Sequence, residues 1–303
     1  AQGPGDALWP PQALGGVRPS QLLRPMGQQQ CCGDNRGLLP CSEVRPEQEA
    51  KAQAKGSPLE YTHTYANGST YVGEWSEGGR QGRGVQVWPD GARYEGEWQN
   101  DKATGSGRFE HMDGDVYDGQ WLNDKAHGHG VYQHVGGSTY KGEWQEDKQH
   151  GQGEETWPDG GKYVGQYGNG HKSGKGHFSW PNGSSFDGSF KENNMHGVGV
   201  YLWEDGRVYE GQWHCGTMHG SGRFSWRDGR SYEGQYIHDQ KSGHGRFSWP
   251  DGRTYEGQWK DGRQHGSGVF TNPRGEQRKG EWIAGKCVDT PMAASYEANA
   301  SAL

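Results

Sequence analysis

Three residue types in this chain could do chemistry, and each of them recurs. Histidines stand at His127, His150, His196, His219 and His265, each followed by glycine. Imidazole is the commonest protein metal ligand, so such a row reads first as a metal ladder. Carboxylates such as Glu95, Glu97, Asp118 and Glu143 also return in register, and positioned carboxylates can act as general acids and bases. Gly-x-Gly appears nine times, from Gly82 and Gly84 to Gly266 and Gly268, a pattern that in other settings cradles phosphates. Cys31, Cys32, Cys41, Cys215 and Cys287 show no metal-type spacing, and their odd number supplies no disulfide framework.

The recurrence argues against all three chemistries. An active site is one special constellation, and nothing here occurs once. A phosphate-binding glycine loop needs a strand-to-helix turn, and no helical period accompanies these glycines. Histidines in successive repeats would stand roughly 10 Å apart on strand spacing, whereas zinc holds its ligands at ~2 Å. The expectation is therefore no catalytic, cofactor-binding or metal site. The histidines are read as loop residues packing on the next hairpin, and the carboxylates as a solvated face.

What positions all these residues is a repeat of 23. Tyr-x-Gly-x-Trp starts at Tyr71 and returns at Tyr94, Tyr117, Tyr140, Tyr163, Phe186, Tyr209, Tyr232 and Tyr255, without insertion or deletion. Its closing position holds Trp75, Trp98, Trp121, Trp144, Trp213 and Trp259, with Tyr167, Phe190 and Tyr236 in the remaining units. Within a unit the period is two, which means strands. Tyr94, Gly96 and Trp98 share a face with Gly105, Gly107 and Phe109 of the next strand, across a turn near Asn100-Asp101. Trp-Pro-Asp-Gly, as at 88–91, 157–160 and 249–252, is a turn in which proline presets φ and glycine takes the left-handed exit. A lone hairpin is marginal in water, so the units must add edge to edge. The fold class expected is all-β: an elongated single-layer antiparallel sheet of stacked 23-residue hairpins, roughly 90–100 Å long. The aromatics of the repeat are its core.

Tyr-Glu-Gly-Glu-Trp at 94–98 and Tyr-Glu-Gly-Gln-Trp at 209–213 and 255–259, with His-Gly-x-Gly at 219–222 and 265–268, resemble MORN (membrane occupation and recognition nexus) repeats. The resemblance covers about Tyr61 to Gly285. It implies a non-enzymatic scaffold that docks proteins at a membrane or on the microtubule cytoskeleton, as in cilia, with dimerisation through terminal repeats. It leaves two alternatives open: a phosphoinositide-binding module, and the targeting arm of a larger lipid-kinase-type enzyme.

Composition bounds the rest. The chain has 303 residues with 55 glycines, 14 tryptophans and 15 tyrosines but only 29% hydrophobic residues, so aromatic rings must supply most of the buried area. The net charge is −7, which disfavours nucleic acid as a partner. Residues 71–162 carry 9 basic and 17 acidic side chains, and residues 163–286 carry 16 and 13. No apolar run approaches the ~20 residues of a membrane helix, and the cysteine usage suits a reducing cytoplasm. The organisation expected is a disordered, low-complexity extension over 1–60, with a short helical candidate at 43–55, then the array at 61–286 and a tail at 287–303. Met26-Gly27 followed by Cys31 and Cys32 resembles a myristoylation start with two palmitoylation candidates. If translation starts at Met26, the chain fractionates with membranes and Gly27→Ala releases it; a soluble Met26 product would end that reading.

Overall fold

The computed structural model describes residues 61–288, so Gly27, Cys31, Cys32 and the helical candidate at 43–55 lie outside the described residues. Among the described residues there is no helix, hence none long and apolar enough to cross a membrane. The expected all-β, antiparallel repeat fold is what forms: among the described residues there are 21 antiparallel strands in an open sheet, in which β1 pairs only with β2 and β21 only with β20. The chain divides at Lys172/Ser173 into two compact units.

The first unit holds β1 (Tyr61–Thr64), β2 (Thr70–Ser76), β3 (Gly79–Val87), β4 (Arg93–Gln99) and β5 (Lys102–Glu110). It continues with β6 (Val116–Leu122), β7 (Lys125–Gln133), β8 (Thr139–Gln145), β9 (Lys148–Thr156) and β10 (Lys162–Gly168). The division falls inside β11 (His171–Ser179). The second unit follows with β12 (Ser185–Lys191), β13 (Asn194–Leu202), β14 (Val208–His214), β15 (Thr217–Ser225) and β16 (Ser231–Ile237). It closes with β17 (Gln240–Ser248), β18 (Thr254–Lys260), β19 (Arg263–Thr271), β20 (Gln277–Ile283) and β21 (Lys286–Val288).

Each repeat is a seven-residue strand, a two-residue turn and a nine-residue strand. Both turn residues take the left-handed region, as Asn100 (φ 51°) and Asp101 (φ 66°) do. That is the type I′ geometry whose twist matches the flanking strands. The turn also ties one repeat to the one before it. Asp124 and Asp147 donate their backbone N–H to the carbonyls of Ala103 and Ala126 (3.0 and 3.1 Å). Their side chains accept the N–H of the same two alanines at 2.8 Å. Asp101 and Asp239 make the same double tie to Arg80 and Met218.

The glycines earn their place through close approach of a ring. A Cβ on Gly211 would lie 2.6 Å from Tyr209 Oη, and one on its cross-strand partner Gly222 would lie inside van der Waals contact of the same ring. The tyrosine therefore lies flat over its own strand and the next. Its hydroxyl donates to the Gln212 carbonyl at 2.9 Å, and the residue is fully buried.

One expectation needs correction. Glu97 and Glu143 are not simply solvated: each repeat has a β-bulge after its Tyr-x-Gly, which leaves an N–H of the longer strand without a ladder partner. The carboxylates of Glu97 and Glu143 accept these N–H groups from Ser106 (3.1 Å) and Gln152 (2.7 Å). Gln120, Gln212 and Gln235 do the same with His129, Ser221 and His244. An amide serves as well as a carboxylate because only an acceptor oxygen is required.

Burial pushes the Tyr71 and Tyr255 phenols up to about 12, and Tyr94, Tyr117, Tyr209 and Tyr232 further still. A raised folded-state pKa means stability that is whole below the unfolded value of ~10 and lost as the pH climbs through the folded one. The sheet is expected to remain folded at pH ~10 and then to melt as tyrosinate absorbance rises in the same transition. Gradual ionisation centred near the free-phenol value, with the β circular dichroism intact, would contradict this packing.

Candidate functional site

The sequence-derived core residues occupy one face. Tyr71, Tyr94, Tyr117, Tyr163, Tyr209, Tyr232 and Tyr255 are fully buried, as is Tyr140 within 2%. Trp98, Trp121, Trp144, Trp213 and Trp259 are buried too, and each indole N–H donates to a glycine carbonyl fourteen residues back, at 2.9–3.2 Å. Trp75 is only half-buried, because the four-residue β1 covers it with little more than Tyr61 and His63. These rings hold the sheet together and leave little surface for a ligand.

A second row of rings, not singled out from the sequence, alternates buried rings with partly open ones. In the second unit Phe178, Trp180, Tyr201, Trp203, Phe224, Trp226, Phe247, Trp249 and Phe270 form an unbroken ladder with successive centroids 4.4–6.4 Å apart. Trp180, Trp226 and Trp249 are half-exposed. They come from the Trp-x-Asp-Gly turns and their Asn182 variant, which the sequence marked as turns while leaving the ring itself unused.

Three of these turns carry an arginine after the glycine. Arg207, Arg230 and Arg253 lie over Trp203, Trp226 and Trp249 at 5.3–5.4 Å. Each guanidinium pairs with the turn aspartate, Asp205, Asp228 or Asp251, at 2.7 Å. The aspartate's other oxygen accepts the arginine's backbone N–H at 3.1 Å. The cation is thus held in place over the ring by its own turn. In the first unit the equivalent positions include His111 and His134, and Asp115 is buried there instead, accepting from the Tyr132 hydroxyl and the Val135 N–H.

The arrangement has the chemistry of a recognition surface: flat π-faces at a fixed step, three of them, Trp203, Trp226 and Trp249, beside a fixed cation and anion. Such a strip can hold an extended chain through ring contacts and through pairing at its charged rim.

The histidine ladder also looks different in three dimensions. The 10 Å argument concerned successive rungs, but His214 stands between His196 and His219, with ring centroids 5.3 and 5.6 Å from them. His238 lies 5.8 Å beyond His219. The signal was present in the turn residues: His214-Cys215 occupies a place where other repeats carry Gln99-Asn100, Leu122-Asn123 or Lys260-Asp261.

The MORN repeat profile matches nine consecutive stretches: 71–93, 94–116, 117–139, 140–162, 163–185, 186–206, 209–229, 232–252 and 255–277. The chain belongs to the MORN repeat family. Its repeats make it a repeat-based binding or scaffold module, of a kind that is generally non-enzymatic. No curated protein matches the chain. Among solved structures it is similar to the TCP10 domain of Danio rerio CPAP, at 13% identity and a TM-score of 0.37, covering 73% of this chain and 100% of that one. The Drosophila melanogaster SAS-4 (dCPAP) TCP domain, solved in complex with a proline-rich motif of Ana2 (dSTIL), is 10% identical with a TM-score of 0.25, covering 72% and 98%. Virginiamycin B lyase from Staphylococcus aureus is 11% identical with a TM-score of 0.15, covering 73% and 68%. At these scores the likenesses carry nothing about function.

Proposed function

We propose that this MORN protein is a non-enzymatic docking scaffold whose nine-ring ladder holds an extended segment of a partner protein. The docking serves a membrane or the microtubule cytoskeleton, and a second copy of the chain pairs through residues 255–286. The observation that carries the reading is the repetition of one unit, Arg over Trp beside Asp, at the 23-residue step of Trp203, Trp226 and Trp249, with the ring half-exposed at Trp226 and Trp249. A surface that repeats across successive hairpins suits a ligand that is itself extended. Pairing through 255–286 is supported by the open edge at β21 and by Ile283, which is 59% exposed beside it.

One experiment covers these claims. The purified chain is tested for co-sedimentation with microtubules and for flotation with vesicles, with and without phosphoinositide, and its mass is read by light scattering. Arg230→Ala/Arg253→Ala, which leaves every ring in place, is expected to weaken capture of partner proteins at least tenfold while the circular dichroism stays unchanged. Full capture by that variant would remove the ladder from the docking role. Binding only to phosphoinositide vesicles would replace the scaffold reading with the lipid module, and a monomer mass would remove the dimer.

A further inference from the structure

The hairpin turn between β14 and β15 lacks the aspartate side-chain tie that four other turns carry. At Asp101, Asp124, Asp147 and Asp239 the second turn residue grips the preceding repeat twice, through its backbone and through its side chain, whereas at Gly170 and Gly262 only the backbone tie is made. Here that residue is Gly216, and only the backbone tie remains, from Gly216 N–H to the Met195 carbonyl at 2.9 Å. What sets this turn apart is that three groups of another kind gather beside it. His196 comes from β13, His214 ends β14, and Cys215 is the first turn residue. One ligand atom from each lies within 4.8 Å of the other two.

We infer that His196, His214 and Cys215 bind a zinc ion that clamps two successive hairpins where the aspartate tie is missing. Two imidazoles and a thiolate form a borderline-soft donor set, suited to tetrahedral zinc rather than to a hard cation. Bond lengths of ~2.0–2.3 Å at tetrahedral angles place ligand atoms roughly 3.3–3.7 Å apart. The observed spread therefore closes with small side-chain rotations. His214 and Cys215 are exposed and His196 half-exposed, so an ion has an open path to the site.

A second observation points the same way. His219, whose ring is 5.6 Å from that of His214, has a buried Nδ1 without a hydrogen-bond partner. An orphaned ring nitrogen beside a three-ligand set is the natural fourth donor. The His238 ring beyond it, 5.8 Å away, continues the cluster toward the next repeat. The cysteine that composition left unpaired thus acquires a role, and so do His196 and His219, which strand spacing had set aside.

The test uses the full chain with Cys31, Cys32 and Cys41 changed to serine, so that no other cluster of thiols competes. Cobalt(II) is the probe, because a thiolate ligand gives it a charge-transfer band and tetrahedral geometry gives it intense visible bands. The expected result is one equivalent of cobalt bound with both signatures, displaced stoichiometrically by zinc. Metal ligands must be deprotonated, so affinity should rise with pH. Cys215→Ser should abolish the charge-transfer band, and His214→Ala should weaken binding at least a hundredfold. His219→Ala should weaken it about tenfold and alter the visible bands, while Cys287→Ser changes nothing. Zinc should also raise the thermal midpoint of the parent but not of Cys215→Ser, since an ion bound only by the folded state stabilises it. Cobalt spectra that persist in Cys215→Ser, or a parent that binds no metal at all, would overturn the site.

Discussion

Replacing Trp213 with alanine should lower the stability of the repeat sheet by about 3–5 kcal/mol, the usual cost of deleting a large buried aromatic, whereas the same change at Trp282 should cost clearly less. Both indoles are nearly buried, at 2% and 5% exposed, so area alone does not separate them. Their neighbours do. Trp213 meets Tyr209 edge-on at 5.1 Å, Phe186 at 5.4 Å and Tyr201 at 6.0 Å, and its indole N–H donates to the Gly199 carbonyl at 3.2 Å. The ring therefore joins two successive hairpins, and its loss opens a cavity with rigid β-sheet around it. Trp282 meets Tyr255 at 5.0 Å and has the three-residue β21 as its outer neighbour. In a repeat protein each unit is stabilised by the neighbours on its two sides, and an end unit has one full neighbour. Chemical denaturation of the two variants, followed by circular dichroism, separates these cases. Equal losses would show that the repeats do not behave as a one-dimensional stack.

That contrast was readable before the structure, because it depends only on the 23-residue step and on which residues alternate. The Tyr-x-Gly-x-Trp pattern places its rings on one face by period two alone, and the burial of Tyr94 and Trp98 follows from it. Three features were not readable, each for a physical reason. The role of Glu97 depends on a bulge in the paired strand β5, where Gly105 adopts φ 60°; a period-two count has no place for the extra residues. The ladder through Trp180, Trp203 and Trp226 joins turn residues to strand residues of the next repeat, which is a contact between units rather than a pattern within one. His214 and His196 belong to different positions of the 23-residue unit, so a search of equivalent positions never compares them. Repetition shows what the units share. Function in a repeat array lies where a unit departs from the others, and the His214-Cys215 turn is such a departure.

A third departure is energetic, and it gives the other large expected effect. In the first unit Lys172 and Glu155 form an ion pair at 2.6 Å with both residues buried, 5% and 7% exposed. The Tyr167 hydroxyl donates to the same carboxylate oxygen at 2.9 Å. Lys172 also lies over the Trp157 and Tyr163 rings, at 4.8 and 5.2 Å. In the following repeat the equivalent positions are apolar: Phe178 for Glu155, Phe190 for Tyr167 and Met195 for Lys172, all buried. Removing one partner of a buried pair strands the other charge away from water, so Lys172→Ala should cost roughly 3–5 kcal/mol. Replacing the whole group is a different matter, because the desolvation of both charges is then relieved as well. The triple change Glu155→Phe, Tyr167→Phe and Lys172→Met copies a set that this fold already packs one repeat later. It should be neutral or stabilising by about 1–4 kcal/mol. Tyr167 must change with the others, since its hydroxyl would otherwise lose its acceptor in a buried place. Urea denaturation of the full chain measures both variants. A triple variant as unstable as Lys172→Ala would mean that the pair contributes net stability through the cation over Trp157 and Tyr163. A Lys172→Ala variant as stable as the parent would mean that water reaches Glu155 and that the pair is not buried in solution.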